Sequence, residues 1–300
     1  MPATIIDGKA IAEQINAETD AEVTRLKNQD GVTPGLAVIL VGENPASAVY
    51  VSMKDKMSAR LGFHSVRVNL PASTRESDLL TTINDLNSRR DVHGILVQSP
   101  LPPQISEDQA FAAVDPARDV DGFHPLNMGK LAIGDSTGFV PCTPAGIHEL
   151  LIRSGVQIDG AHVVVLGRSR IVGRPISLIL SQKAPHANAT VTVCHSRSRN
   201  LAKICQSADI LVAAIGVPRF VKDNMVRAGA VVIDVGINRV EDDSSEKGYQ
   251  IVGDVDFDAV VQKASLIAPV PGGVGPMTIA MLMRNTVRAA RLLHSTSPTV

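Results

Sequence analysis

The sequence contains no long run of charged residues of one sign, and its formal net charge is −1 over 300 residues. Nucleic acids and anionic membrane surfaces attract proteins mainly through concentrated basic charge, which is missing here. No stretch approaches the roughly 18 uncharged apolar residues that span a bilayer. The first residues lack a basic segment followed by a long apolar one, so no signal peptide is predicted. We therefore expect a cytoplasmic protein with no nucleic-acid and no membrane partner.

Cysteine is also scarce. Cys142, Cys194 and Cys205 are odd in number and form no C-x-x-C pair. This pattern favours reduced thiols with a structural role in a cytoplasmic protein over a disulfide framework.

Apolar residues make up 44% of the chain and charged residues 20%. A chain of this length and composition predicts about two domains, each with its own core. Short apolar strands alternate with helical segments throughout, which indicates an α/β fold with parallel sheets covered on both faces. We place the domains at residues 1–145 and 146–275, separated by a cleft, and expect a last helix at residues 276–295 to pack back on the first domain.

Eight strands are predicted, at residues 36–41, 64–70, 94–98, 162–166, 190–194, 209–214, 230–235 and 265–268. Asn44 and Pro45 have the sequence of a helix N-cap followed by proline at the first helical position. Ser73 and Glu76 have the spacing of a capping box for the next helix.

A glycine-bearing turn follows the predicted strand at residues 162–166. It runs from Gly167 to Gly173 and precedes a helical segment at residues 176–183, the layout of a Rossmann-like dinucleotide-binding domain. The turn departs from G-x-G-x-x-G, because Ser169 replaces the middle glycine and the last glycine comes one residue later. Taken alone, it is compatible with either a phosphate site or an ordinary tight turn.

The next predicted strand ends in Cys194, followed by His195, Ser196 and Arg197. An NAD site would have an acidic residue here to bind the ribose 2′-hydroxyl. Arg168 and Arg197 are instead suited to a 2′-phosphate, which favours NADP, the alternative being two surface arginines without a ligand. Ile237 follows a later strand and is a candidate for the cofactor wall, or simply part of a loop.

The first half carries candidate chemical groups. Tyr50 and Lys54 are four residues apart on a predicted helix, so they share a face as a possible proton-transfer pair or as part of a solvated surface. Gln98 ends a buried strand. Asp119, Asp121 and His124 have poor spacing for a metal site, so none is predicted. A carboxylate that binds a nitrogen-rich heterocycle fits this loop better.

Near the end, residues 269–279 are rich in proline and glycine, which indicates backbone lying close against a ligand. With this segment, five motifs occur in order along the chain: residues 50–56, 94–98, 119–122, 167–175 and 271–279. In them the chain resembles the bifunctional methylenetetrahydrofolate dehydrogenase/methenyltetrahydrofolate cyclohydrolase family, from about Ile5 to Leu293. Ser99 and Ala268 stand where leucine and threonine are usual, which bears only on the shape of the folate pocket.

The resemblance implies two reactions: oxidation of 5,10-methylenetetrahydrofolate with NADP, and hydrolysis of the methenyl product to 10-formyltetrahydrofolate for one-carbon metabolism and purine supply. It implies that Lys54 is the central catalytic residue, supported by Gln98, that Tyr50 positions the folate ring, and that Asp121 holds the pterin. The folate side would be lined by Pro271, Gly272 and Gly273, and the dinucleotide side by Gly167, Arg168, Ser169, Ser196, Arg197 and Ile237. A homodimer is also implied.

Three alternatives remain open from the sequence. A short-chain dehydrogenase also has a Y-x-x-x-K pair, but there the pair follows the nucleotide turn, whereas Tyr50 and Lys54 precede it by more than a hundred residues. A non-catalytic NADP-binding protein would need only residues 162–240. A monofunctional dehydrogenase of the same family would use the same pocket.

Overall fold

The computed structural model describes residues 2–245 and 248–295. Two compact units divide the chain. The three-stranded unit comprises residues 13–142 and 279–295, and the six-stranded unit comprises residues 2–12 and 143–278. The second unit therefore includes the first residues of the chain, which the sequence-based boundary at residue 145 assigns to the other domain.

The strands of the chain are β1 (Thr4–Ile5), β2 (Gly35–Val41), β3 (His64–Leu70), β4 (Gly94–Val97), β5 (His162–Leu166), β6 (Thr190–Cys194), β7 (Ile210–Ala213), β8 (Val231–Asp234), β9 (Asn238–Glu241), β10 (Tyr249–Val252) and β11 (Leu266–Ala268). The α-helices are α1 (Gly8–Arg25), α2 (Pro45–Arg60), α3 (Glu76–Ser88), α4 (Glu107–Ala113), α5 (Pro125–Ile133), α6 (Cys142–Arg153), α7 (Gly173–Ser181), α8 (Leu201–Gln206), α9 (Phe257–Val260) and α10 (Val274–Ser295). A π-helical turn, Leu26–Asp30, continues α1, and a 3₁₀ turn covers Asp223–Met225.

In the three-stranded unit the sheet order is β3-β2-β4, and all pairs are parallel. Every residue of the central strand β2 is buried, whereas β3 alternates because it is an edge strand. One core cluster packs α3 and α4 against this sheet, with Ile39, Leu79, Ile83 and Ile95 at most 1% exposed.

The C-terminal part of α10 contributes to the same unit. Asn285 donates from its Nδ2 atom to the Val120 carbonyl at 2.8 Å and to the Val140 carbonyl at 3.3 Å. Thr286, fully buried, lies against the Cα of Gly94, where an added Cβ would come within 3.2 Å of its Oγ1 atom. These contacts connect the last helix to β4 and to the loops that follow α4 and α5.

In the six-stranded unit the sheet order is β1-β11-β8-β7-β5-β6, again parallel throughout. The predicted strands are present here, and the short edge strand β1 is an addition that the sequence did not predict. The buried runs Val163–Leu166 and Ile210–Ala213 form the middle of the core. An antiparallel hairpin of β9 and β10 follows β8 outside the sheet.

Two predicted helix starts are wrong. Helix α3 begins at Glu76 with Arg75 at its N-cap and no side-chain cap, so Ser73 and Glu76 form no capping box. The Glu76 carboxylate instead accepts from the Ser106 backbone N–H at 2.7 Å. Helix α7 spans Gly173–Ser181, so it begins three residues before the predicted start at residue 176.

Candidate active site

Lys54 lies on α2, a helix that Asn44 caps by accepting from the Ser47 backbone N–H at 3.1 Å. Its side chain is only 6% exposed, and its Nζ atom donates to Oε1 of Gln98 at 2.8 Å. Burial lowers the pKa of Lys54, while the nearby Asp121 carboxylate and the Cys142 thiol oppose that shift. A buried amine with a lowered pKa loses its proton more readily than an exposed one, which suits it to proton transfer.

Gln98 follows β4 directly, and its backbone N–H donates to the Ile39 carbonyl at 2.9 Å. Its Nε2 atom donates to the Ser99 carbonyl at 2.7 Å. That bond orients the amide so that its oxygen, the only acceptor in the side chain, points to Lys54. The structure thus brings Lys54 and Gln98 into contact, as the candidate-site assignment requires.

Tyr50 lies one turn before Lys54 on α2 and is partly exposed. Burial of part of its ring raises the pKa of Tyr50, so its hydroxyl stays protonated at neutral pH. A partly exposed aromatic ring with a protonated hydroxyl is suited to packing against a flat heterocycle.

Asp119 and Asp121 have different environments in one loop. The Asp119 carboxylate accepts from the backbone N–H groups of Gly122, Phe123 and His124 and from Nδ2 of Asn127, at 2.8–3.1 Å. Its role is structural. His124 is also occupied, because its Nδ1 atom accepts from Leu126 as the N-cap of α5.

Asp121 is the other carboxylate of this loop and the candidate for binding a ligand. Burial raises the pKa of Asp121, and the positive charge of Lys54 lowers it. Cys142, at 1% exposure, donates its thiol to the Val120 carbonyl at 3.3 Å, and burial followed by the charge of Asp121 raises the pKa of this thiol well above its ordinary value. Sequence reasoning assigned Cys142 only a general structural role, and no spacing signal connects it with Asp121.

The Gly167–Gly173 loop connects β5 to α7, and its two glycines are required by close backbone contacts. A Cβ on Gly167, which has φ 127°, would lie 2.0 Å from the Ala214 carbonyl oxygen, and one on Gly173 would lie 2.2 Å from that of Gly167. Ser169 folds the loop by accepting at Oγ from the Val172 backbone N–H at 3.2 Å. The serine therefore has a structural use in the place of the missing glycine.

The residues after β5 and β6 lie at the same edge of the sheet. Leu166 and Cys194 are register partners, and the Gly167 N–H donates to the Cys194 carbonyl at 2.9 Å. Arg168, Ser169, Ser196 and Arg197 are all exposed there. Ile237, after β8, is 51% exposed. This edge, at the carboxyl ends of parallel strands, is where ligands bind in such sheets.

The Pro271–Gly273 segment follows β11 in the same unit. The Gly273 N–H donates to the Pro269 carbonyl at 2.9 Å, and Gly272 has φ 106°. A Cβ on Gly8 would come within 1.9 Å of the Gly273 carbonyl oxygen, so the start of α1 lies directly on this turn. The candidate residues thus fall into two groups, with Tyr50, Lys54, Gln98 and Asp121 in the three-stranded unit and the remainder in the six-stranded unit.

Across residues 2–245 and 248–295, no helix is both long enough and apolar enough to cross a membrane. In the same described part of the chain, His, Cys, Asp and Glu side chains form no group of three or more that could hold a metal ion.

Two family models match the chain. Residues 6–121 match the catalytic domain of tetrahydrofolate dehydrogenase/cyclohydrolase, and residues 141–294 match its NAD(P)-binding domain. The bifunctional protein FolD of Syntrophobacter fumaroxidans is 53% identical over 292 residues, 97% of this chain and 98% of that protein.

Two solved structures are similar over nearly the whole chain. The bifunctional FolD enzyme of Campylobacter jejuni has a TM-score of 0.91 at 44% identity, covering 97% of this chain and 99% of that one. The methylenetetrahydrofolate dehydrogenase-cyclohydrolase of Trypanosoma brucei, complexed with NADP cofactor and inhibitor, has a TM-score of 0.92 at 41% identity, covering 98% and 99%.

Proposed function

The chain belongs to the tetrahydrofolate dehydrogenase/cyclohydrolase family, and from that membership we propose how its residues carry the two reactions. It is a bifunctional enzyme of folate one-carbon metabolism. The dehydrogenase moves a hydride from 5,10-methylenetetrahydrofolate to the bound nicotinamide nucleotide and leaves 5,10-methenyltetrahydrofolate. The cyclohydrolase adds water to the methenyl carbon and opens the ring to give 10-formyltetrahydrofolate.

Lys54 is the proposed proton-transfer residue of the hydrolysis. The observation that carries this assignment is the buried Nζ atom, hydrogen-bonded to Gln98 at 2.8 Å, with a pKa lowered by burial. A neutral amine can take a proton from the attacking water, and the resulting ammonium is stabilised by the Gln98 oxygen and the charge of Asp121. Hydride transfer depends mainly on alignment of two rings and needs no such proton transfer.

Two further side chains are assigned to the folate. Asp121 is the proposed acceptor for the amino and ring N–H groups of the pterin, because Asp119 in the same loop already has its hydrogen bonds satisfied within the protein. Tyr50 is the proposed packing surface for the folate ring. We assign Pro271, Gly272 and Gly273 to the folate as well, as a turn in which Pro271 is exposed and Gly272 half-buried.

The residues after β5 and β6 fit a dinucleotide with a 2′-phosphate. Gly167 and Gly173 have no side chains to fill the turn after β5. Arg168 and Arg197 are exposed in the turns after β5 and β6, and neither turn contains an Asp or Glu residue. Bound NADP supplies the hydride acceptor. We assign its contacts to Gly167, Arg168, Ser169, Ser196, Arg197 and Ile237.

We also propose a homodimer in the cytoplasm that supplies 10-formyltetrahydrofolate for purine synthesis. The family resemblance supports the dimer and the metabolic role, and the composition of the chain, with reduced cysteines and no concentrated basic charge, supports the location.

The division of roles is tested by Lys54→Ser. We expect the cyclohydrolase rate to fall by about 10²–10⁴-fold, as for loss of a proton-transfer group, and the dehydrogenase to fall much less. NADPH fluorescence follows the first reaction, and loss of methenyl absorbance follows the second. Lys56→Ser is the matched control, because Lys56 lies on the same helix but is exposed.

Equal losses of both activities in Lys54→Ser would contradict this assignment. A wild-type protein that forms NADPH from methylenetetrahydrofolate but does not hydrolyse the methenyl product would instead be a monofunctional dehydrogenase. A protein that binds NADP but forms no NADPH would be a non-catalytic binder.

A further inference from the structure

One buried carboxylate connects two loops at the ligand-binding edge of the six-stranded sheet. Asp254 lies after β10 and is 0% exposed. Its Oδ2 atom accepts from the backbone N–H groups of Ile215 at 2.6 Å and Gly216 at 3.0 Å, in the loop after β7. Its Oδ1 atom accepts from the Val217 N–H at 2.9 Å and from Nδ2 of Asn238 at 3.0 Å.

Asp254 is itself held by a second buried carboxylate. Asp234, at the end of β8 and 3% exposed, accepts at Oδ1 from the Asp254 backbone N–H at 2.8 Å and from the Gly236 N–H at 3.1 Å. Its Oδ2 atom accepts from the Val255 N–H at 3.0 Å. The two aspartates therefore tie three segments together: the loop after β7, the loop after β8 and the turn after β10.

Two glycines make room for these carboxylates. A Cβ on Gly236 would lie 2.1 Å from Oδ1 of Asp254, and one on Gly253 would lie 1.7 Å from Oδ2 of Asp234. Each position thus excludes any side chain. The fit of glycine against carboxylate at both sites indicates a fixed arrangement with little freedom to adjust.

We propose that Asp254 is a positioning residue for dinucleotide binding, which holds the loops at residues 215–217 and 236–238 in the geometry that receives the cofactor. The inference rests on the proposed function, since that function assigns the cofactor to this edge of the sheet and to Ile237. Asp254 is buried behind the loops, so it acts through their backbone.

A carboxylate is needed because both oxygens are acceptors. An asparagine has one acceptor oxygen and one NH₂ group. In either orientation its NH₂ would face two of the donors that Asp254 binds, either Ile215 and Gly216 or Val217 and Asn238. Two N–H groups would lose their acceptor, so one of the loops must move before these groups find another.

The test is Asp254→Asn, with NADP binding measured by calorimetry and both reactions assayed. We expect the Kd and KM for NADP to rise about 10–100-fold, as for a displacement near 1 Å at a positioning group. Hydrolysis of methenyltetrahydrofolate without added nucleotide is expected to stay at the wild-type rate. Asp256→Asn is the matched control, because Asp256 lies two residues away and pairs at the surface with Lys222 at 2.9 Å.

Asn238→Ala serves as the milder variant should Asp254→Asn fail to fold. It removes one of the four donors and leaves the carboxylate with the other three, so NADP affinity is expected to fall by about threefold to tenfold. Wild-type NADP affinity in the folded variants would overturn the proposal, as would loss of nucleotide-free hydrolysis in step with loss of binding. Failure of the wild-type protein itself to bind NADP would instead refute the cofactor assignment.

Discussion

Lys54 shows how a residue's neighbours determine what it can do. An amine on an exposed helix face remains in water, as Lys56 does two residues later. Lys54 is largely shielded from solvent, and the side-chain oxygen of Gln98 replaces one of the hydrogen bonds that water would make. The i, i+4 spacing places Tyr50 and Lys54 on one helix face from the sequence alone. That spacing does not reveal burial, which depends on residues 40 and more positions away.

The same limit applies to Asp121 and Cys142. Their interaction joins a loop residue with the first residue of α6, and no periodic pattern connects the two positions. Asp254 was missed for a similar reason. Its four donors lie between residues 215 and 238, so only the folded chain shows that one carboxylate serves both loops.

The two arginines at the proposed dinucleotide-binding edge should determine the preference for NADP over NAD. Replacing Arg168 and Arg197 together by alanine is expected to lower the NADP-to-NAD ratio of kcat/KM by at least about tenfold, since a charged hydrogen bond contributes about 1.5–3 kcal/mol. Steady-state kinetics with each nucleotide measures that ratio. Arg90→Ala removes an exposed positive charge from the other unit and serves as the control. An unchanged ratio in the double variant would refute the assignment of both arginines.

At the level of elements, apolar runs predict strands better than cap patterns predict helix starts. The strand at residues 162–166 has the predicted bounds because it is buried over nearly its whole length. The capping box at Ser73 is wrong because Glu76 binds Ser106, in the loop between β4 and α4. Helix α7 starts early because Gly173 packs on the backbone of Gly167, a contact made by the fold of the turn.

That contact gives a prediction for Gly173→Ala. The added Cβ would lie 2.2 Å from the Gly167 carbonyl oxygen, so the turn and the start of α7 must separate. We expect weaker NADP binding and a lower Tm, measured by calorimetry and thermal unfolding. In the control Gly129→Ala, on α5, the new Cβ meets nothing within 4 Å, and the variant should gain up to about 1 kcal/mol in helix propensity. Wild-type affinity in Gly173→Ala would show that the glycine is not required.

At the level of the whole molecule, alternation of strands and helices predicted two parallel sheets, and both are present. The sequence does not predict that the first residues of the chain belong to the six-stranded unit. Strand β1 has two residues, Thr4–Ile5, too few for a period-two pattern. It is recognisable only through its register with Leu266 and Ile267.

The proposed homodimer is testable without any variant. Light scattering coupled to size exclusion should give about twice the 31.7 kDa mass of one chain at micromolar concentration. On dilution the mass should fall toward that of one chain as the dimer dissociates. Measuring both activities across the same dilution series would show whether they depend on dimer formation. A mass of one chain at every concentration would refute the dimer.

The pairing of β1 with β11 has a consequence for how the protein is made. Strand β1 is synthesised before every other strand of its sheet, and its partner emerges only when translation has passed Ala268. At about 5–20 residues per second, β1 waits on the order of ten seconds or more for that partner. The three-stranded unit waits as well, because it needs Asn285 and Thr286 of α10. Both units are therefore completed only after β11 and α10 have been synthesised, and a nascent chain that stalls before β11 leaves two unfinished cores exposed to chaperones and proteases.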